Sequence, residues 1–164
     1  MTPALALASE TWPATIEVKG EPWHLSLNLP GFATLGDEGD DGRRRIYTFL
    51  DRGREMILSV MIEKVPGKAT MDGCREINAR RAAGGGTFHP IDVQTGSRGE
   101  AAVVELSIPL SADGKVVQRH IFACRTRGNR YIDTHVSKVR YAPSDRDIML
   151  GVLDAIAIID PAAP

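Results

Sequence analysis

An α+β domain, with a predominantly antiparallel sheet flanked by helices, is the fold class this sequence predicts. Three observations carry it: repeated apolar/polar alternation at a period of two, short turn signals between successive alternating runs, and two segments with helical spacing and end signals. The order of several strands, a helix, several strands and a helix, joined mostly by hairpins, segregates the elements as α+β folds do.

Thr15 to Val18 and Trp23 to Leu29 open the series; Trp23, Leu25, Leu27 and Leu29 alternate with His24, Ser26 and Asn28, and Pro30-Gly31 ends the run. The stretch from Gly36 to Gly42 is so acidic and glycine-rich that it is expected as a surface loop. Arg43 to Asp51 and Arg54 to Lys64 then read as a hairpin around Arg52-Gly53. In the second of these, Met56, Leu58, Val60 and Ile62 point one way and Ile57 and Met61 the other, so the sheet is expected to be at least partly covered on both sides.

Thr70 is the expected N-cap of the first helix, with Asp72 favoured at the positive end of its dipole. Met71, Cys74, Ile77 and the aliphatic stem of Arg81 give it an inward stripe, and Gly84-Gly85-Gly86 stops it. Thr87 to Gln94, with Pro90, suits an edge strand; Ala101 to Pro109 is a stronger strand, and Gly96 to Gly99 a loop before it. Lys115 to Arg127 and Arg130 to Val139 form the clearest hairpin, where Gly128 at the first central position suits a type II′ turn. A last helix is expected from Ser144 as N-cap, with Met149, Val152, Leu153 and Ile156 buried and Asp160-Pro161 as its end. The expected layout is a flexible segment over 1–11, one domain over 12–160 and a tail over 161–164, with all the ribbons merged into one continuous layer between the two helices. No internal repeat is visible.

The chain has 164 residues, 43% of them hydrophobic and 25% charged, enough for one sizeable core and typical of globular domains. A net charge of -1, from 20 basic and 21 acidic side chains, argues against nucleic acid as a partner. No apolar run reaches the ~20 residues of a membrane-crossing helix. Two cysteines are too few for a disulfide scaffold or a four-cysteine zinc site. Ala6-Leu7-Ala8 has the small-x-small form of a signal-peptidase site without a charged region or full apolar stretch before it. The compartment stays open on this reading: exported, with Cys74 and Cys124 bridged, or cytosolic, with both as buried thiols.

Whole enzyme classes lack their sequence carriers. No phosphate-cradling or dinucleotide-binding glycine motif, nucleophile elbow, C-x-x-C or H-E-x-x-H is present, and nothing asks for a cofactor. Read from Asp37 as a calcium loop, the acidic stretch has Gly39 where the third ligand belongs and Thr48 where the closing Glu belongs; a charged surface loop offset by Arg43, Arg44 and Arg45 is the better reading.

If Gly128 and Asn129 are the two turn residues, Cys124 faces Asp133, Phe122 faces His135 and His120 faces Ser137. His120, Asp133, His135 and Cys124 then project from one side of the sheet. Two readings follow: a metal or general acid/base site of two imidazoles and a carboxylate, or a hydrogen-bond network where sheet meets helix. The opposite face of the hairpin carries Arg119, Arg125, Lys138 and Arg140 around Ile121, Ile132 and Val136, either as a basic surface for an anion or acidic partner or as a solvated rim. Trp12, Trp23 and Phe32 read as core or as a binding patch.

The run Tyr131-Ile132-Asp133-Thr134-His135-Val136-Ser137-Lys138-Val139, with Tyr141, Pro143 and the helix from Asp145 to Ile156, resembles the end of small proteins with the PsbP-like or Mog-like fold. The run from Trp23 to Leu29, followed by Pro30-Gly31-Phe32, is similar to their opening strand and loop. The resemblance implies a central antiparallel sheet with helices on both sides. It also implies an accessory, assembly or adaptor role, as in photosystem subunits, a regulator of a nuclear transport GTPase, periplasmic lipoproteins and secretion-system chaperones. No functional residue carries over, and fold analogy does not choose among these roles. The expectation is therefore a bacterial-style, non-enzymatic domain binding another protein through a sheet face or groove, with room for weak self-association. The alternative is a small metal-dependent enzyme or ligand carrier using the histidine/aspartate cluster.

Overall fold

Ten strands and two helices follow one another along residues 14–40, 42–85 and 89–161, the parts of the chain that the computed structural model describes. The strands are β1 (Ala14–Glu17), β2 (His24–Leu27), β3 (Ala33–Asp40), β4 (Arg44–Asp51) and β5 (Met56–Lys64), then β6 (Ile91–Arg98), β7 (Ala101–Pro109), β8 (Val117–Arg127), β9 (Arg130–Val139) and β10 (Ile156–Ile159). Helix α1 (Met71–Ala83) lies between β5 and β6, and α2 (Asp145–Asp154) between β9 and β10. Every pairing is antiparallel, and the strands form a seven-stranded sheet, β3-β4-β5-β9-β8-β7-β6, and a three-stranded sheet, β1-β2-β10. No helix among the described residues is long and apolar enough to cross a membrane. Residues 1–11, Trp12 and most of the C-terminal tail lie outside the described residues, and with them the signal-peptide expectation.

The α+β class stands, but the single continuous layer does not. The opening strands form their own small sheet and share the third layer with α2, packing Leu25, Leu27, Met149, Leu153 and Ile156 against Leu58, Ile121, Ile132 and Val136 of the large sheet. This is the main core. The other face of the large sheet carries α1, which lies over β7 and β8.

The final helix also stops earlier than expected. It ends at Asp154, and Ile156 to Ile159 pairs with β2, because the Ile-rich end suits a pleated surface better than a helix. Ile156 is buried as expected, which is why helical spacing alone misassigned it. Ser144 has helical φ and ψ and makes no side-chain cap; the Asp145 carboxylate accepts from the Ala142 N–H instead, at 2.8 Å.

The acidic stretch is a strand as well as surface. All eight residues of β3 are exposed, yet they pair with β4, where Asp37 meets Arg45 in an ion pair and Asp40 lies opposite Arg44. Gly39 has φ 105°, and a Cβ there would sit 2.3 Å from the Arg44 carbonyl oxygen, so its glycine makes the pairing sterically feasible. Gly96, Ser97 and Arg98 likewise lie within edge strand β6, and the turn is Gly99-Glu100. The arginine cross-strand partners and the long ladder outweigh the weak strand propensity of Gly and Asp in β3.

Other local signals hold. Thr70 Oγ1 accepts from Gly73 N–H at 3.1 Å, and Gly84, at φ 69°, ends α1. Gly128 has φ 60°, and the β8–β9 register is the expected one, with Arg127 opposite Arg130 and Phe122 opposite His135.

Candidate functional site

The long β8–β9 hairpin decides which side chains meet. On the face beneath α1 stand His120, Phe122 and Cys124 of β8, with Asp133, His135 and Ser137 of β9. The first three tiers of contact run through the helix. Cys74 of α1 is disulfide-bonded to Cys124, and both are fully buried. Arg81, about two turns further along α1, grips Asp133 with both terminal guanidinium nitrogens, Nη1 to Oδ1 at 3.1 Å. Asn78 donates from Nδ2 to the Ala102 carbonyl at 2.9 Å and accepts from Arg81 at 3.1 Å.

From Arg81 a column of stacked groups runs along the sheet. Its guanidinium lies 4.3 Å over the Phe122 ring; Phe122 stacks on His135 at 4.1 Å, and His135 on His120 at 5.1 Å, the three rings near parallel. The two imidazoles also share a hydrogen bond, His120 Nδ1 to His135 Nε2, at 2.9 Å. One nitrogen must donate and the other accept, which two neutral rings satisfy and two cationic rings do not. The His120 Nε2 is buried without a partner, so the tautomer protonated on Nδ1 leaves only a lone pair orphaned there.

Electrostatics agree with the geometry. Burial, with Arg119 nearby, pushes the His120 imidazole down to about 4. Burial, with His120 and Arg81 adding to it, pushes His135 down to about 3. The Asp133 carboxyl is raised by burial, with Arg81 opposing that shift. At neutral pH the cluster therefore holds two neutral imidazoles.

Every residue of the expected histidine/aspartate cluster is thus on one face and close together, but its donors are turned toward neighbours. Cys124 is in the disulfide, both Asp133 oxygens face Arg81, and the histidines bind each other. Among the described residues no group of three or more His, Cys, Asp or Glu side chains is placed to hold a metal ion. What the arrangement does chemically is fasten a polar helix to a sheet.

The opposite face is organised differently. Arg119 reaches Glu105 at 3.0 Å, the Ser107 hydroxyl at 3.2 Å and the Asp92 carbonyl at 3.1 Å, and Arg146 of α2 grips the same Glu105 at 2.6 and 2.9 Å. Burial alone would raise the Glu105 carboxyl; hydrogen bonds from Arg146 and Arg119 outweigh it and hold it below the usual range. Lys138 donates to the Arg54 carbonyl and Arg140 meets Glu55 at 3.4 Å. Arg119, Lys138 and Arg140 are therefore engaged within the chain. Arg125 borders a cleft between the two sheets; its Nη1 donates to the Ile156 carbonyl at 2.8 Å, while its Nη2, like the Nε of Arg119, is buried with no partner. Trp23 and Phe32 are in the main core.

Sequence reasoning placed Arg81 in the helical stripe only for its aliphatic stem and passed over Asn78 and Phe122 as members of the column. The available signal was a strand aspartate on the helix-covered face, which demands a cation from whatever covers it. Gly73 was missed too: a Cβ there would come within 1.8 Å of the Tyr131 hydroxyl, so glycine leaves room for the end of that side chain against α1.

Fold and site together define an antiparallel α+β domain of PsbP-like fold, carrying a buried polar column under a disulfide-stapled helix. No protein-family model matches the chain, and no curated protein matches it in sequence. Among solved structures it is similar to the cyanobacterial PsbP (CyanoP) from Synechocystis sp. PCC 6803, with a TM-score of 0.54 and 12% identity, covering 93% of this chain and 96% of that one. At that identity the likeness establishes fold, and it bears on the PsbP-like half of the resemblance, not the Mog-like half.

Proposed function

We propose that this chain is a non-enzymatic accessory or adaptor domain of an oxidising compartment, binding another protein through the uncovered half of its large sheet. The observation that carries this reading is an asymmetry of cover. On α1's side, the helix lies over β7 and β8, and the β4–β5 ribbon beyond has no covering element among the described residues. The cross-strand pairs Ile46–Met61 and Leu50–Ile57 face outward there, with Ile57 38% exposed. Paired apolar side chains left on an open sheet face are the kind of surface a partner buries. The PsbP-like fold of CyanoP supports an accessory role by analogy alone. The Cys74–Cys124 disulfide supports export, since such bonds persist where thiols are not kept reduced.

Affinity capture from an extract of the source organism tests the reading. Wild-type protein is expected to retain one stoichiometric partner that Ile57→Asp loses and Ile148→Asp, exposed on α2, keeps. Equal loss in both variants, or retention in both, removes the sheet face as the docking surface. Non-reducing peptide mapping of the native protein should show Cys74 joined to Cys124; free thiols there would end the export reading.

A further inference from the structure

The open face of the β4–β5 ribbon is apolar in its middle and oppositely charged at its two ends. It rises at two cross-strand pairs, Ile46–Met61 and Leu50–Ile57, and dips between them at Thr48–Ser59, beside Gly36 of β3. A Cβ on Gly36 would meet nothing within 4 Å, so the dip opens to the sheet edge. The raised pairs are four residues apart along each strand, about 14 Å, which a helix spans in about two and a half turns.

At the Ile46–Met61 end stand Glu38, Asp40 and Glu63, with Arg44 between the last two. Three acids against one arginine leave a net charge of -2 on this face. Arg44 donates from Nε to the Met61 sulfur at 3.1 Å, and Asp40 accepts from the Gly42 and Arg43 N–H groups with one oxygen. Glu38 and Glu63 have no hydrogen bond or ion pair among the described residues. Other charges nearby do not answer these acids. Arg45 and Lys64 stand on the opposite face, Arg45 with Asp37, and Asp41 and Arg43, between β3 and β4 in sequence, cancel. On α1, Asp72 pairs with Arg75 and Arg81 with Asp133, and Glu76 and Arg80 cancel. The far end, at the β4–β5 turn, is basic: Asp51 and Glu55 match Arg54 and Arg140, and no acid answers Arg52 or Lys138.

The form of the occupant follows from the backbone. Strand β4 is paired with β3 and β5, and β5 with β4 and β9, so an incoming strand finds no free N–H or C=O on this face. A helix satisfies its own backbone and presents an apolar stripe. Given that a partner docks on this face, the reading on which this depends, we propose that it does so with one amphipathic helix. Its apolar stripe lies across Ile46, Met61, Leu50 and Ile57, and its lysine or arginine side chains stand over Glu38, Asp40 and Glu63.

Amide NMR titrations test this with a helix-forming peptide of about 15 residues that carries a leucine stripe and lysines in one end turn, set against the same peptide with glutamine for lysine. The lysine peptide is expected to shift amides in 36–40, 44–50 and 57–63 saturably and to bind about fivefold more tightly than the glutamine one, an advantage lost in about 1 M salt. Glu38→Lys, at an exposed side chain with no partner to lose, should remove most of that advantage. Ile57→Asp should weaken both peptides and Ile148→Asp neither. Equal binding of the two peptides, with both still weakened by Ile57→Asp, would keep the docking face and overturn the basic helix. No saturable binding of either peptide, shifts confined to other residues, or binding indifferent to Ile57→Asp overturns it too; if a captured native partner also survives Ile57→Asp, the docking face falls with it.

Discussion

Helices α1 and α2 sit on opposite faces of the same sheet and are held there by different physics. Helix α2 buries Met149, Leu150, Val152 and Leu153 in the main core. Helix α1 buries only Cys74 and Asn78, with Met71 and Ile77 partly covered in a small cluster around Cys74, Ala102 and Cys124. What α1 lacks in apolar area it makes up with a disulfide, a buried ion pair, a backbone hydrogen bond and a cation–aromatic stack. Apolar burial is non-directional and tolerates change in redox state or pH; the contacts on α1 are few, directional and chemically removable. One side of the sheet is a core, and the other a set of fastenings.

The largest expected effect breaks the fastenings by charge. Arg81→Met leaves the Asp133 carboxylate, 4% exposed, without its cation and should cost about 3–5 kcal/mol in denaturant unfolding; replacing Asp133 by Asn in the same chain should restore a large part. An unaltered midpoint would show that Arg81 contributes little.

Removing the disulfide comes next. It closes a separation of 50 residues, for which loss of loop constraint predicts about 4 kcal/mol. Reduction should speed hydrogen exchange in α1 first, with β5, β9 and α2 still protected. If all elements lose protection together, the two helices are not independent in the way the contacts suggest.

Leu153→Ala, on the other helix, should cost about 3 kcal/mol through transfer and cavity, lowering protection everywhere in the main core. Local loosening of α2 alone would contradict this.

Acid provides a smaller and reversible probe. His120 and His135 titrate from 6.5 in the unfolded chain and at about 4 and about 3 in the folded one, so between those limits the unfolded state binds more protons. Stability from the neutral pair is fully present above pH 6.5 and falls as pH drops, by at most about 1.4 kcal/mol per pH unit for each ring. Asp133, raised by burial, acquires its proton at higher pH in the folded state than in the unfolded one and so opposes the loss. His135→Phe, which keeps an aromatic ring in the column, should flatten the slope measured between pH 6.5 and 4; a slope identical to wild type would place the effect elsewhere.

Least of all should Ile57→Asp move stability, by about 1 kcal/mol, since its side chain is 38% exposed and the change costs mainly strand propensity. A larger drop would mean that the β4–β5 face is covered and is part of a core.

The hairpin register, and with it the company of His120, Phe122, Asp133 and His135, was readable because Gly128 fixes the turn and the side-chain period in a strand is two. Thr70 and Gly84 marked α1 for equally local reasons. Less legible was anything in which two segments compete for one pattern. Ile156 to Ile159 continues the helical spacing of α2 and fits a strand as well; β2 decides by offering a partner. Asp37 to Asp40 looked like a loop because acids and glycines avoid strands, and it became one strand of a pair because Arg44 and Arg45 were waiting opposite.

Periodicity, caps and turn chemistry act over a few residues, so the chain by itself determined the α+β class, most elements and the faces on which their side chains stand. Which face α1 would cover, that Arg81 would answer Asp133 across 52 positions, that the first two strands would pair with the last, and that Arg125 would border a cleft were decided only by tertiary packing. Contacts between distant segments depend on how whole layers close on one another, and no local pattern encodes that closure.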